Sequence, residues 1–274
     1  MNSLGRYAGS KLKYVGIINS LMSQTDAKVY SEPFGGFLSI FLNTQKSFDK
    51  YFINDLNPHI FAIYESFKYL NFSDVIEIQS NMLKQFGDWK TSKDSYYNMR
   101  NWINENKLNS NFTDKGIYTW ILINSYINSL SRFGPNGFNQ SFGNRNGCTQ
   151  LNATQFNDIK YRLSKAEILN ISGLDMLGQN DTFYFLDPPY EQANIAGYRG
   201  ELGIQQLVID DILSHSYDMI YTDIFHENLK LDFIANHNKK TNSSRPGADN
   251  KDNSTLKNEV IYHRFKKPTN ITLF

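Results

Sequence analysis

The chain of 274 residues is poor in the residues that form covalent or metal cross-links. Cys148 is its single cysteine, so no internal disulfide can form and no zinc site with several thiolate ligands can be built. The five histidines are scattered, without the spacing that would place two of them on one helix face. We therefore expect no structural metal.

Long apolar runs and a large net charge are also missing. The most apolar stretch of helical length, residues 117–127, is too short to cross a bilayer and contains Asn124 and Ser125. The N-terminal residues lack the apolar core of a signal peptide. A formal net charge of +1 identifies no partner by itself, whereas 40% hydrophobic and 15% aromatic residues are typical of a folded globule. We expect a cytoplasmic protein of a bacterial or virus-host cell that does not associate with membranes.

The order of the apolar patterns predicts an α/β fold. Helices are predicted at residues 12–21, 37–42, 60–67 and 204–213, that at 37–42 being buried. Strands are predicted at residues 27–30, 51–53, 167–171, 182–186, 219–222 and 259–265. Strand, glycine turn, helix, strand and acid follow one another in the N-terminal third, which is the order of a nucleotide-binding half-sheet. Residues 236–258 are polar and predict a long loop.

Between residues 71 and 165 the pattern changes to helical segments and asparagine-rich loops. This predicts an inserted module, residues 71–165, within a catalytic domain formed by residues 1–70 and 166–274. The last third of the module carries Arg132, Arg145 and three further basic residues against one acid, together with aromatic residues and glycines. Such a composition suits phosphate contacts and insertion against bases, although an ordinary surface hairpin explains it equally well.

The tetrapeptide Asp187-Pro188-Pro189-Tyr190 follows directly on the apolar run 183–186. Such a run is typical of a strand covered on both faces, and residues just past its carboxyl end line the ligand crevice of open α/β sheets. Each proline fixes its own φ and removes a backbone N–H. The motif therefore offers hydrogen-bond acceptors, followed by a ring that can stack on a planar substrate. A proline turn with a packed tyrosine is the structural alternative.

Three further segments have the composition of a binding site. The segment Tyr7-Ala8-Gly9-Ser10-Lys11 is a small-residue turn before a helix, where backbone N–H groups and a lysine can face a carboxylate or phosphate. The segment Glu32-Pro33-Phe34-Gly35-Gly36 is a glycine turn that permits close approach of a ligand. Asp55 lies at a strand end about twenty residues later, where a carboxylate commonly binds a ribose.

Taken in order, these segments resemble the D12-class, or Dam-type, DNA adenine-N6 methyltransferases. The resemblance covers most of the chain: Tyr-Ala-Gly-Ser-Lys, Glu-Pro-Phe-Gly-Gly, Asn-Asp-Leu-Asn, an inserted module, Asp-Pro-Pro-Tyr and a terminal strand. It implies a Rossmann-like, S-adenosylmethionine-dependent methyltransferase sheet with an inserted, mainly helical target-recognition module. It also implies double-stranded DNA as the partner, with the protein acting as a monomer or weak dimer.

The resemblance assigns roles residue by residue. It implies that Asp187, Pro188 and Tyr190 are catalytic. It implies that Asp55 holds the ribose hydroxyls and that the cofactor site is formed by Tyr7, Lys11, Phe34, Gly35, Gly36, Asp55 and Asp187. The basic and aromatic segment resembles the hairpin with which the family approaches DNA, which implies DNA contacts by Arg132, Asn139 and Arg145. Asp175 matches an acid that precedes the catalytic strand in the family.

Two departures from the family pattern leave alternatives open. Family members usually carry another glycine soon after the glycine pair, where this chain has Phe37 and Leu38, and a larger side chain there is expected to crowd the cofactor. This motivates a DNA-binding pseudo-methyltransferase as one alternative. Thr222 stands where the family often has serine. A cytosine-N4 methyltransferase is the other alternative, because those enzymes use a related motif, usually with Ser in place of Asp.

Overall fold

The computed structural model describes residues 3–5, 9–106, 112–124, 133–134, 137–143, 152–189, 203–224, 229–235 and 259–266. The helices are α1 (Val15–Met22), α2 (Pro58–Tyr69), α3 (Phe72–Phe86), α4 (Lys93–Asn106), α5 (Phe112–Asn124), α6 (Ala153–Ser164) and α7 (Ile204–Ser214). The strands are β1 (Val29–Glu32), β2 (Lys50–Asn54), β3 (Phe133–Gly134), β4 (Gly137–Phe138), β5 (Ala166–Leu169), β6 (Thr182–Leu186), β7 (Asp218–Ile224), β8 (Asp232–Ala235) and β9 (Glu259–Arg264).

The large sheet has seven strands in the order β5-β2-β1-β6-β7-β9-β8. All neighbouring strands from β5 to β7 are parallel, whereas β9 runs antiparallel to both β7 and β8. From β1 the chain adds β2 and then β5 on one side, and it returns to the other side of β1 with β6. The sheet order therefore reverses between β1 and β6, and open α/β sheets bind ligands outside the carboxyl ends of the strands at such a point.

The Rossmann-like α/β class is confirmed, but one predicted helix is absent and one strand was not predicted. No α-helix covers residues 37–42, which form turns and the 3₁₀ turn Phe41–Asn43, because Leu38 adopts a φ of 53° in the left-handed region. These side chains are nevertheless buried, as the apolar pattern indicates. Strand β8 was not predicted, because it lies at the sheet edge with Phe233 46% exposed and shows no alternation of apolar and polar residues. The predicted loop 236–258 lies outside the described residues.

Local sequence determines where the helices begin. Pro58 occupies the first turn of α2, and the Asn57 side chain caps it by accepting from the His59 N–H at 2.9 Å. In α6, Asn152 and Gln155 form a reciprocal capping box. These caps satisfy N–H groups that have no partner within the helix. They therefore fix the points at which α2 begins after β2 and at which α6 begins.

Helices α5 and α6 of the predicted module both pack against α2. Gly116 of α5 lies so close to α2 that a Cβ there would stand 1.9 Å from the carbonyl oxygen of Ala62. The apolar core is continuous from Trp89 and Trp120 to Tyr30 and Phe183 of the sheet. The division into residues 1–70 with 166–274 and an inserted 71–165 remains a prediction.

Candidate functional site

Three strand ends meet at the edge where the sheet order reverses. Glu32 ends β1, Asn54 and Asp55 end β2, and Asp187 follows β6, which pairs directly with β1. Neighbouring strands lie about 4.8 Å apart, so acids on three adjacent strands occupy one small region. The topology therefore brings together residues that are widely separated in the sequence.

The Asp187 carboxylate is held by two side chains, one at each oxygen. Lys11 Nζ lies 2.8 Å from Oδ2, and Thr222 Oγ1 of β7 donates to Oδ1 at 2.7 Å. The Asp187 side chain keeps 20% exposure. The carboxylate is thus fixed in orientation and partly open to solvent.

Lys11 links the N-terminal segment to the end of β6. Its side chain is only 2% exposed, and Nζ also donates to the Gly9 carbonyl at 2.8 Å. Its backbone N–H donates to Ser39 Oγ at 3.1 Å, which joins the segment to the loop after β1. A buried ammonium is costly unless it is paired, so the contact with Asp187 explains why a lysine is tolerated here.

The glycine turn after β1 packs closely against β2 and α2. A Cβ at Gly35 would meet Leu38 Cδ2, the Tyr64 hydroxyl and the Asn54 carbonyl oxygen, all within 3 Å. The Gly35 N–H donates to that carbonyl at 2.8 Å, and the Tyr64 hydroxyl donates to the Gly36 carbonyl at 2.5 Å. These contacts hold the turn against β2 and α2. Gly36, with a φ of 52°, takes a conformation that favours glycine.

Asp55 closes the same turn from the β2 side. Its two oxygens accept from the Gly36 N–H at 3.0 Å and the Asn57 N–H at 2.8 Å. Burial raises the pKa of this carboxyl from 3.8 to about 6, against the opposing effect of the two backbone hydrogen bonds. Asp55 is therefore mostly ionised at neutral pH, but a larger fraction of it is protonated than in a solvated aspartate.

Phe37 and Leu38 point into the core. Their side chains are 3% and 0% exposed and belong to the main apolar cluster. Leu38 reaches the inner side of the turn, towards Tyr64, as its contact at the Gly35 position shows. The expectation that these two residues crowd a ligand rested on the sequence pattern, and the observed packing gives it no support.

Glu32 is a buried acid whose role the sequence pattern did not indicate. Its Oε2 accepts from the Tyr30 hydroxyl at 2.5 Å and from the Phe41 N–H at 3.1 Å. Burial raises the pKa of Glu32 to about 8, and the negative charge of Asp187 adds to the rise. Tyr30 and Glu32 lie two residues apart and so share one face of β1, a spacing that could have revealed the pair.

Asn54 and Gly173 join the ends of β1 and β2 to the loop after β5. The buried Asn54 amide donates to the Pro33 carbonyl at 2.8 Å and to the Ile171 carbonyl at 3.0 Å, and its oxygen accepts from the Ile171 N–H at 3.0 Å. Phe34 packs on Gly173, where a Cβ would stand 2.5 Å from the ring. Asp175, two residues further on, is exposed.

Several predicted site residues lie outside the described residues: Tyr7, Tyr190, Arg132 and Arg145. Pro188 is buried directly after Asp187, and Asn139 is exposed after β4. In the described ranges no group of three or more His, Cys, Asp or Glu side chains is arranged to hold a metal ion. None of the helices in this part of the chain combines the length and apolar character needed to cross a bilayer.

Comparison with known proteins gives one family match. The family described as D12 class N6 adenine-specific DNA methyltransferase matches residues 7–206, which is well over half of the chain. The matched range contains the N-terminal lysine segment, the glycine turn, Asp55 and the Asp-Pro-Pro-Tyr motif. A search of curated proteins finds no match.

Proposed function

The chain belongs to the D12 class of N6 adenine-specific DNA methyltransferases, and on that premise we propose that it transfers a methyl group from S-adenosylmethionine to N6 of an adenine flipped out of duplex DNA. The observation that carries this assignment is the Asp187 carboxylate at the reversal point of the sheet. Lys11 and Thr222 orient this carboxylate, and 20% of its side chain stays exposed.

The residues around the glycine turn fit the cofactor. Asp55 offers a partly exposed carboxylate suited to two ribose hydroxyls, and the turn at Gly35 and Gly36 carries no side chain that would obstruct a ligand. In our assignment Phe34 borders the same pocket, and Tyr7, Lys11 and Asp187 border its amino-acid end. When bound, S-adenosylmethionine supplies an electrophilic methyl group on a sulfonium sulfur.

The protein must activate a poor nucleophile. The lone pair of the adenine amino group is conjugated into the ring, so the nitrogen is planar and weakly nucleophilic. In our proposal the Asp187 carboxylate and the Pro188 carbonyl each accept one amino hydrogen, which draws the nitrogen towards tetrahedral geometry. As the N–C bond forms, the C–S bond of the sulfonium would break and leave its electron pair on sulfur as a neutral thioether. The nitrogen then loses one proton, which Asp187 accepts. Positioning and electrostatics then provide most of the catalysis.

The surrounding charges favour this use of Asp187. Glu32, the other acid beside it, holds its proton at neutral pH because its pKa is about 8. A second negative charge next to Asp187 is thereby avoided, since like charges this close disfavour ionisation. The Lys11 ammonium balances the charge of Asp187. Of the acids Glu32 and Asp187, Asp187 thus provides the oriented carboxylate.

Access to N6 requires that the base leave the duplex. Unstacking and unpairing one base costs a few kcal/mol, and enzymes that modify bases recover this through stacking and hydrogen bonds in the pocket. We assign the stacking surface to Tyr190 and the DNA contacts to Arg132, Asn139 and Arg145. Asn139 is exposed at the end of the β3–β4 hairpin, as a DNA contact requires.

The proposal is tested by incubating the protein with methyl-labelled cofactor and mixed-sequence duplex DNA, followed by identification of the labelled nucleoside. We expect label in N6-methyladenine. Asp187→Ala should lower the rate at least about a hundredfold while DNA retention stays close to wild type. Asp210→Ala, which removes an exposed carboxylate from α7, is the matched control and should keep full activity.

Other outcomes of this experiment favour the alternatives. Label in N4-methylcytosine would identify a cytosine enzyme. DNA binding without label, together with no cofactor binding by calorimetry, would identify a pseudoenzyme. Equal loss of transfer and DNA retention in Asp187→Ala would make Asp187 structural.

A further inference from the structure

Asn104 of α4 pairs with the backbone of the β3–β4 hairpin as a neighbouring strand would. Its Nδ2 donates to the Phe138 carbonyl at 2.9 Å, and its Oδ1 accepts from the Phe138 N–H at 3.0 Å. One side chain thus satisfies both backbone polar groups of one residue across 34 positions of sequence. A carboxamide can do this because it carries a donor and an acceptor side by side.

A second attachment point lies two residues along the hairpin. The Gln140 carbonyl accepts from the Tyr96 hydroxyl at 3.1 Å and from Arg100 NH1 at 3.0 Å. Tyr96, Arg100 and Asn104 are spaced four residues apart in α4 and so form one row on its surface. The Arg100 guanidinium also lies over the Tyr97 ring at 4.7 Å, which restricts its orientation. Helix α4 therefore provides a rigid base for the hairpin.

The two attachment points fix which way Asn139 faces. Phe138 is fully buried and Gln140 is 7% exposed, whereas Asn139 between them is exposed. Successive residues of an extended strand point to opposite sides, so a slip of one residue would bury Asn139 and expose Phe138. The Phe142 ring, which lies against Tyr96 at a centroid distance of 5.6 Å, opposes such a slip. Asn139 is thus presented outwards in one register.

We propose that Asn104 is a positioning residue for DNA recognition, which holds the β3–β4 hairpin in the register that presents Asn139 to the duplex. This inference rests on the proposed function, because it takes the hairpin as a DNA-contacting element. Asn104 itself does not touch DNA in this proposal. It restricts the hairpin to one position before DNA binds. The free energy of ordering the hairpin is then not subtracted from the free energy of binding.

The first test compares Asn104→Ala with Asn98→Ala. Asn98 is exposed on the same helix, so both variants change helix propensity alike while only one removes the hairpin contacts. We expect Asn104→Ala to raise KM for DNA about tenfold, as the loss of two neutral hydrogen bonds implies, with cofactor affinity unchanged. Amide hydrogen exchange at Phe138 should accelerate in Asn104→Ala and stay as in wild type in Asn98→Ala.

The second test asks whether Asn104 acts through Asn139. In a double-mutant cycle, Asn104→Ala should add little to the rise in KM that Asn139→Ala causes. In that background the Asn139 contact, which the hairpin register serves, is already absent. Fully additive effects would overturn the inference, as would an Asn104→Ala variant whose KM for DNA matches that of Asn98→Ala. Both results leave the proposed function intact. A wild-type protein that neither binds nor methylates DNA would overturn the proposed function and this inference together.

Discussion

Three acidic side chains share the carboxyl edge of the sheet, and their surroundings give them different properties. Asp187 faces Lys11 and Thr222. Asp55 accepts two backbone N–H groups and has a pKa of about 6. Glu32 lies in the core, where burial raises its pKa to about 8. At neutral pH the edge therefore combines the carboxylates that we assign to binding and catalysis with one protonated acid that is part of the core.

The protonation of Glu32 has a consequence for stability. Its folded pKa of about 8 lies above the ordinary value of 4.5, so the folded state keeps a proton that the unfolded chain releases in this range. This contribution is fully present below about pH 4.5 and is lost as pH rises to about 8. Glu32→Gln, which stays neutral, should therefore lose less stability than wild type over the same range.

Urea unfolding at about pH 5, 6.5 and 8 measures this difference, which should reach a few kcal/mol between the two ends. Glu77→Gln, a change at an exposed position of α3, is the control and should parallel wild type. Parallel pH profiles for Glu32→Gln and wild type would show that Glu32 is ionised in the folded protein.

At the scale of elements, the position of α2 governs both the site and the helices beyond it. Its Tyr64 hydroxyl holds the glycine turn, and its outer face carries α5 and α6. Close approach of α5 depends on Gly116, whose position leaves no room for a Cβ. Helices α5 and α6 thus cover α2, so packing far from the site helps to hold Tyr64 and the glycine turn in place.

Gly116→Ala should destabilise the protein by about 3 kcal/mol, because its new methyl group would overlap the Ala62 backbone and force α5 away from α2. Gly16→Ala is the matched control, since a Cβ at that α1 position meets nothing within 4 Å. It should stabilise α1 by about 0.5 kcal/mol through helix propensity. Denaturant unfolding measures both effects, and shifts in the same direction would contradict the packing described here.

At the scale of the whole molecule, the apolar core does not stop at the predicted module boundary. The main cluster includes Val75, Met82 and Trp89 from the region of α3 as well as Ile53, Phe183 and Ile220 from the sheet. The N-terminal segment joins the same core, because the Trp120 indole N–H donates to the Leu4 carbonyl. Helices α3 to α6 and the sheet therefore share buried surface.

This continuity predicts one cooperative unfolding transition. All three tryptophans, Trp89, Trp102 and Trp120, lie within residues 71–165, so their fluorescence reports on that region and on its direct contacts. Far-UV circular dichroism reports on the whole chain. We expect the two signals to give coincident urea transitions, which is the criterion for two-state unfolding. A separate fluorescence transition would show that the inserted module unfolds as an independent domain.

Much of the fold could be predicted because its signals are local. Strand β6 was placed at residues 182–186, and helix α7 was predicted within one residue of its end at Ser214. The error at residues 37–42 arose because an apolar run indicates burial without distinguishing a helix from turns. The left-handed φ of Leu38 accompanies the full burial of its side chain, and no local pattern reports it.

The candidate site was predicted in part. The motifs identified Asp187, Lys11 and Asp55, because the residue types and their order resemble a known family. Which atoms meet could not be predicted: the Lys11–Asp187 bond spans 176 positions and the Thr222–Asp187 bond spans 35. The buried state of Glu32 and the attachment of the hairpin to Asn104 were also missed, since both depend on neighbours supplied by other elements.

The sequence by itself determined the family and the α/β class of the fold, and it predicts Asp187 as the catalytic carboxylate. These follow from short-range patterns: apolar periodicity, capping residues, glycine turns and the Asp-Pro-Pro-Tyr motif. Only the tertiary structure decided the protonation of Glu32, the direction in which Phe37 and Leu38 point and the register of the β3–β4 hairpin. Each of these depends on burial and on hydrogen bonds between distant segments, and such quantities exist only once the chain is packed.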